Sequence, residues 1–133
     1  MSGEVLSVVE RGWRGARECS LTLNAMAVPV THLIKGRLSR DVRAMIRPYP
    51  HIHLLSVPRT VFRVWLWWTV VRRTVLGRVR WVFLDQERTL QELAWWCRLR
   101  RVTPVLIRDT DDGYTLTVQG RPVSLGRLLE GPR

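Results

Sequence analysis

The sequence predicts one α/β domain built on a mainly parallel sheet, and three observations carry that reading. The chain has 133 residues, the length of a single domain. Short, nearly all-apolar β-prone runs alternate with longer helical stretches. Strands that are apolar on both sides belong to sheets covered on both faces, and parallel neighbours need crossover helices. Right-handed crossovers then make the domain Rossmann-like and doubly wound. Residues 1–133 form one unit in this reading, with a β-hairpin appendage over 113–125. A hydrophobic fraction of 46% and a charged fraction of 25% are those of a globular chain, which excludes disorder over most of the length.

Each element follows from its local signals. Glu4-Val5-Leu6-Ser7-Val8-Val9 is a short apolar run that opens the sheet. Gly12-Trp13-Arg14-Gly15 makes a turn, and 16–26 read as a helix with Ala16, Cys19, Leu23 and Met26 on one face. A second strand spans 28–34, where Pro29 is tolerable near the beginning. Ser39 caps a short helix to Ile46, ended by Pro48 and Pro50. Residues 51–57 are a third strand.

Pro58 stands where a helix starts and Gly77 where one stops. Val and Thr crowd 60–75 and favour a strand. About 19 residues without a turn signal decide for helix instead. A fourth strand covers 78–84, Asp85 caps a helix running to about Arg101, and 103–107 are a fifth strand. Asp109-Thr110-Asp111-Asp112-Gly113 is a turn cluster. Residues 114–118, Gln119-Gly120 and 121–124 then make a hairpin, with 125–130 as a short terminal helix or tail.

Charge is unevenly placed. The net charge is +11, yet residues 37–80 hold ten Arg and a single acid, Asp41. Twenty-one of the 22 basic residues are Arg, as a GC-rich genome would give, but codon bias does not remove acids from one segment. Such a field draws phosphates, nucleic acid, an anionic lipid surface or an acidic protein face.

The strand–loop–helix opening followed by Val28-Pro29-Val30-Thr31-His32-Leu33-Ile34-Lys35-Gly36 resembles the N-terminal Rossmann-like half of GT-B glycosyltransferases. Phe83-Leu84-Asp85-Gln86-Glu87-Arg88, with the apolar helix and Pro104-Val105-Leu106-Ile107 after it, is similar to a later unit of that half. The resemblance covers residues 4–108. It implies an acceptor-holding half whose donor-binding partner half is missing, so that glycosyl transfer would need an oligomer. It also implies a basic, aromatic helix that touches lipid in membrane-associated members.

Ligands in open α/β sheets collect beyond the carboxyl ends of the strands. Here that edge comprises 10–15, 35–36, 56–59, 85–88 and 108–112. In the first of these, Gly12, Arg14, Gly15 and Arg17 offer backbone N–H groups at a helix start beside two guanidinium groups, a cradle for a phosphate. The spacing is neither a dinucleotide fingerprint nor a P-loop. Asp85 is placed to contact a ribose hydroxyl as well as to cap its helix.

On the helix after Pro58, a period of 3.6 puts Val61, Val64, Trp65, Trp68, Val71 and Val75 together, and that face is assigned to the core. The opposite side carries Arg59, Arg63, Arg73 and Thr74 with Leu66, Trp67 and Val70. Together with Arg72 this makes a basic, Trp-bearing face for a partner: Arg59, Arg63, Leu66, Trp67, Arg72 and Arg73. On the following helix, Leu90, Leu93, Ala94 and Cys97 form the apolar stripe, while Trp95 and Leu99 lie off it.

No cofactor or metal motif emerges. His51 and His53 share a strand face, but no Cys or carboxylate supports a site with them or with His32. Asp109 to Gly113 begins like a calcium loop and fails at its later positions. Cys19 and Cys97 fall on apolar helix faces as free buried thiols. With no signal-peptide pattern at Met1-Ser2-Gly3-Glu4, this points to a cytoplasmic protein, at most peripheral to a membrane. No nucleophile triad or carboxylate pair stands out. The reading is a binding or assembly module and not a complete enzyme. It contacts a protein partner or a second copy through the Trp-rich helix, with an anionic membrane or a phosphorylated small molecule as further partners. The alternatives are a glycosyltransferase-like half active as an oligomer and a nucleic-acid-binding protein.

Overall fold

The computed structural model describes residues 3–11 and 13–130. In chain order the elements are β1 (Glu4–Val9), α1 (Arg14–Ala25), β2 (Val30–Lys35), α2 (Arg40–Ile46), β3 (Ile52–Val57), a 3-10 turn (Arg59–Val61) and α3 (Phe62–Val75). There follow β4 (Val79–Leu84), α4 (Glu87–Leu99), β5 (Thr103–Thr110), β6 (Gly113–Val118), β7 (Arg121–Val123) and α5 (Leu125–Leu129). The chain is thus α/β, with one seven-stranded mixed sheet in the order β3-β2-β1-β4-β5-β6-β7.

The four pairings among β1 to β5 are parallel, and β5-β6-β7 is an antiparallel meander. The expected hairpin is present as β6 and β7, and β5 extends it into a meander. β5 runs on to Thr110 and pairs with β6 around Asp111-Asp112, so the expected turn cluster shrinks to its middle. Leu116 of β6 and Leu125 of α5 join Val5, Cys19 and Leu23 in one apolar cluster, which makes the hairpin part of the core. Gln119 and Gly120 both have positive φ, 52° and 78°, the geometry that a two-residue connection between twisted strands needs.

Period-2 alternation sorts the strands into two core layers. Leu6, Val8, Leu33, Val57, Val82 and Leu84 face α3 and α4, meeting Phe62, Leu66, Val70, Leu93 and Cys97. Val5, Val30, Trp81, Phe83 and Val105 face α1 and α5 on the other side. Both cysteines are buried free thiols, as expected. Burial pushes the Cys19 thiol up to about 12 and that of Cys97 to about 11, which keeps them protonated and unreactive.

α3 corrects the sequence reading most. Its buried residues are Phe62, Leu66, Thr69, Val70 and Thr74. The stripe assigned to the core points outward instead: Val64 is 72% exposed, Trp68 59% and Trp65 45%, while Leu66 is 0% exposed. The element is a helix, as length argued, but it is rotated half a turn from the expected orientation. Apolar side chains on nearly all sides leave periodicity no face to prefer. Polar anchoring decides it. Thr74 donates to Val70 O at 2.7 Å and accepts from Trp96 Nε1 at 2.8 Å, and Arg73 reaches Glu4 beneath the helix at 2.5 Å.

Candidate functional site

The direction of chain winding sets the place of the site. From β1 the chain winds outward through β2 to β3, and α3 then carries it back across to β4 on the far side of β1. Loops leaving β1 and β4 at their carboxyl ends therefore diverge, and a crevice opens between them. The structure has a cleft of about 560 Å³ there.

Six cations line it, delivered by separate segments: Arg11 after β1, Lys35 and Arg37 at the end of β2, Arg59 and Arg63 at the start of the α3 region, and Arg88 in α4. The one carboxylate on the lining is Glu10. Its side chain is 7% exposed, lies 3.8 Å from Lys35 and accepts a hydrogen bond from Thr89 Oγ1. Arg63 pairs with Glu92 at 2.5 Å, and Lys35 also stands over the Phe62 ring at 5.5 Å. Arg11, Arg37, Arg59 and Arg88 have no carboxylate partner among the described residues. Ile34, Leu38 and Trp13 give the cleft an apolar wall, and Gln86 and Thr89 add polar groups.

The predicted phosphate cradle lies beside this cleft and is differently employed. Gly12 lies outside the described residues. Gly15 N donates to Asp109 Oδ1 at 2.7 Å, so the α1 N-terminus already holds an internal carboxylate. A Cβ on Gly15 would collide with that same oxygen, which is why a glycine is needed there. Arg14 donates to Asp111 O at 3.3 Å, and Arg17 lies against Met45 and Glu18.

Asp85 is not a helix cap. Gln86 occupies the cap position of α4 without a side-chain bond. The Asp85 carboxylate instead accepts from Glu10 N at 3.0 Å and Arg11 N at 2.7 Å, clamping the two diverging loops together. Arg11 and Arg88 fall within the sheet edge read from the sequence, at 10–15 and 85–88, and Arg37 one residue past 35–36. None was singled out, because a loop, a strand end and the first turn of α4 bring them together only in the fold. The charge excess over 37–80 pointed toward Arg37, Arg59 and Arg63.

Of the predicted partner face, only Arg59 and Arg72 stay open and without an ion pair among the described residues. Leu66 is core, Arg73 is paired with Glu4 at 2.5 Å, Arg63 with Glu92, and Trp67 Nε1 donates to Glu92 Oε2 at 3.0 Å. The surface that does open is the outward side of α3 with its flanks: Val61, Val64, Trp65, Trp68, Val75 and Leu76. Beside it a groove of about 200 Å³ runs between Leu55, Trp65, Trp68 and Leu76, rimmed by Arg72 and Arg78. Trp95 and Leu99 of α4 are exposed as expected, and the Trp95 ring lies 6.0 Å from that of Trp67, tilted by 36°, across the α3–α4 seam.

His32 is buried on the α1 side of β2, its ring edge-on to Trp13 at 5.0 Å. Neither ring nitrogen has a hydrogen-bond partner among the described residues. Burial holds its pKa down at about 3, so the ring stays neutral. His53 pairs in register with Thr31, whose hydroxyl meets Arg73 of α3, so the two histidines sit on opposite faces of the sheet. Among the described residues no three metal-ligating side chains converge, and no helix is long and apolar enough to cross a membrane. No protein-family model matches the chain, and neither does any curated protein.

Proposed function

We propose that the protein is a non-catalytic binding or assembly module that docks a protein surface through the outward side of α3, a second copy of this chain being the simplest occupant. One observation carries the reading. Six large apolar side chains, Val61, Val64, Trp65, Trp68, Val75 and Leu76, stand exposed along a single helix and its flanks. A contiguous apolar patch of this kind marks an interaction surface, and Trp and Arg supply most hot spots. Arg72, from the face read in the sequence, borders it. Two α3 helices packed antiparallel would cover Trp against Val and keep the Arg residues at the rim.

Sedimentation velocity tests this directly. The wild-type chain is expected to dimerise with rising concentration, and Trp65→Ser with Trp68→Ser to remain monomeric with unchanged circular dichroism. A wild-type chain that stays monomeric throughout overturns self-association. Capture by anionic but not neutral lipid vesicles would then assign the same face to a membrane. Steeply salt-dependent binding of an oligonucleotide would assign the basic segment to nucleic acid instead.

The strand order β3-β2-β1-β4-β5 with helices on both faces favours a finer fold reading, a Rossmann-like doubly wound domain. The same order supports a second functional reading, a glycosyltransferase-like half that works only as an oligomer. That reading requires stabilisation by nucleotide-sugars in a thermal-shift series. The buried free thiols fit a reducing, cytoplasmic setting.

A further inference from the structure

We propose that the cleft at the carboxyl ends of β1, β2 and β4 is a binding site for a small molecule carrying a diphosphate group. Like charges gathered around a crevice repel one another unless a counter-charge occupies it, and converging walls focus their field into the space between. Six cations face Glu10 here, and Glu10 is already engaged by Lys35 and Thr89. Four guanidinium groups, those of Arg11, Arg37, Arg59 and Arg88, keep their donors uncommitted to any carboxylate of the described residues. Guanidinium presents paired N–H donors that match phosphoryl oxygens, and charge-assisted bonds of this kind are the strong ones.

Size and layout give the class. The four groups come from four segments around a cleft of about 560 Å³. Two linked phosphoryl groups offer four guanidinium groups more anionic oxygens than a lone phosphate does. The volume lies within the range of small-molecule pockets, about 300–1,000 Å³. Ile34, Leu38 and Trp13 leave an apolar wall for the organic part of the ligand. The Asp85 clamp on Glu10 N and Arg11 N holds the β1 loop in place and so presets the Arg11 side of the rim. The site is separate from the outward side of α3.

Calorimetric titration with inorganic pyrophosphate and inorganic phosphate tests the proposal. Pyrophosphate is expected to bind at least tenfold more tightly than phosphate. The exposed pair Arg37→Gln with Arg88→Gln should weaken pyrophosphate about a hundredfold, with an unchanged urea midpoint. Arg121→Gln, outside the cleft, should leave it unchanged. Failure of the wild-type chain to bind pyrophosphate overturns the site, as does an affinity unaffected by the double variant. Equal affinity for the two anions overturns the diphosphate class. Trp65→Ser with Trp68→Ser must keep the pyrophosphate affinity, so this test and the dimer test fail independently.

Discussion

α1 and α3 cover opposite faces of the same sheet and solve the same packing problem with different surfaces. α1 buries Ala16, Cys19 and Leu23 and turns Glu18 and Thr22 to the solvent. α3 buries Phe62, Leu66 and Val70 and turns Val64, Trp65, Trp68 and Val75 to the solvent. Their N-termini differ in the same sense. Neither has an acidic residue in its first turn, but Asp109 brings a carboxylate to the start of α1 while α3 begins without a side-chain cap. α1 is finished within the chain. α3 is finished on one side only, and a helix apolar on its outer side is explained by something that covers it.

The largest effects test the shared half of that contrast. Leu23→Ala in α1 and Leu66→Ala in α3 should each cost about 2–5 kcal/mol in urea denaturation, because both side chains are fully enclosed, at 1% and 0% exposure. A small loss at Leu66 would return α3 to the orientation read from the sequence. Asp109→Ala is next, with an expected loss of about 1–2 kcal/mol as Gly15 N and the α1 dipole lose their carboxylate. Thr60→Ala ahead of α3 should change nothing measurable.

His32 then gives the α1 side a pH dependence. Its pKa drops from 6.5 to about 3 on folding. Above pH 6.5 the ring is neutral in both states and costs nothing. Below it the unfolded chain takes up a proton that the folded chain refuses, so stability falls as pH falls, by about 1.4 kcal/mol per pH unit, and levels off near pH 3. His32→Leu should remove this component of the slope in urea midpoints measured across that window. A small effect belongs to the outer side of α3, where Trp68→Ser should stay within about 0.5 kcal/mol of wild type at concentrations that keep both chains monomeric.

The sequence made the sheet elements legible because their signals are local. β1 is a bounded apolar run, Ser39 does accept from Val42 N at 3.3 Å, and Gln119-Gly120 announces its hairpin. The α4 stripe was legible too, since polar residues separate Leu93 and Cys97 from Trp95 and Leu99. The face of α3 was not, because Trp and Val surround it and the anchors that orient it, Glu4 and Trp96, are distant in sequence. Asp85 looked like a cap because its true partners are Glu10 N and Arg11 N, 75 and 74 positions away. The cleft was foreseen as an edge of the sheet, but its cations came into view together only once four segments met.

Mass-spectrometric footprinting of tryptophan oxidation tests the central asymmetry of α3 most directly. Trp65 and Trp68 are predicted to be oxidised fast in the monomer, with Trp81, at 7% exposure, protected. Slow oxidation of Trp65 and Trp68, at the rate of Trp81, would contradict an outward face on α3.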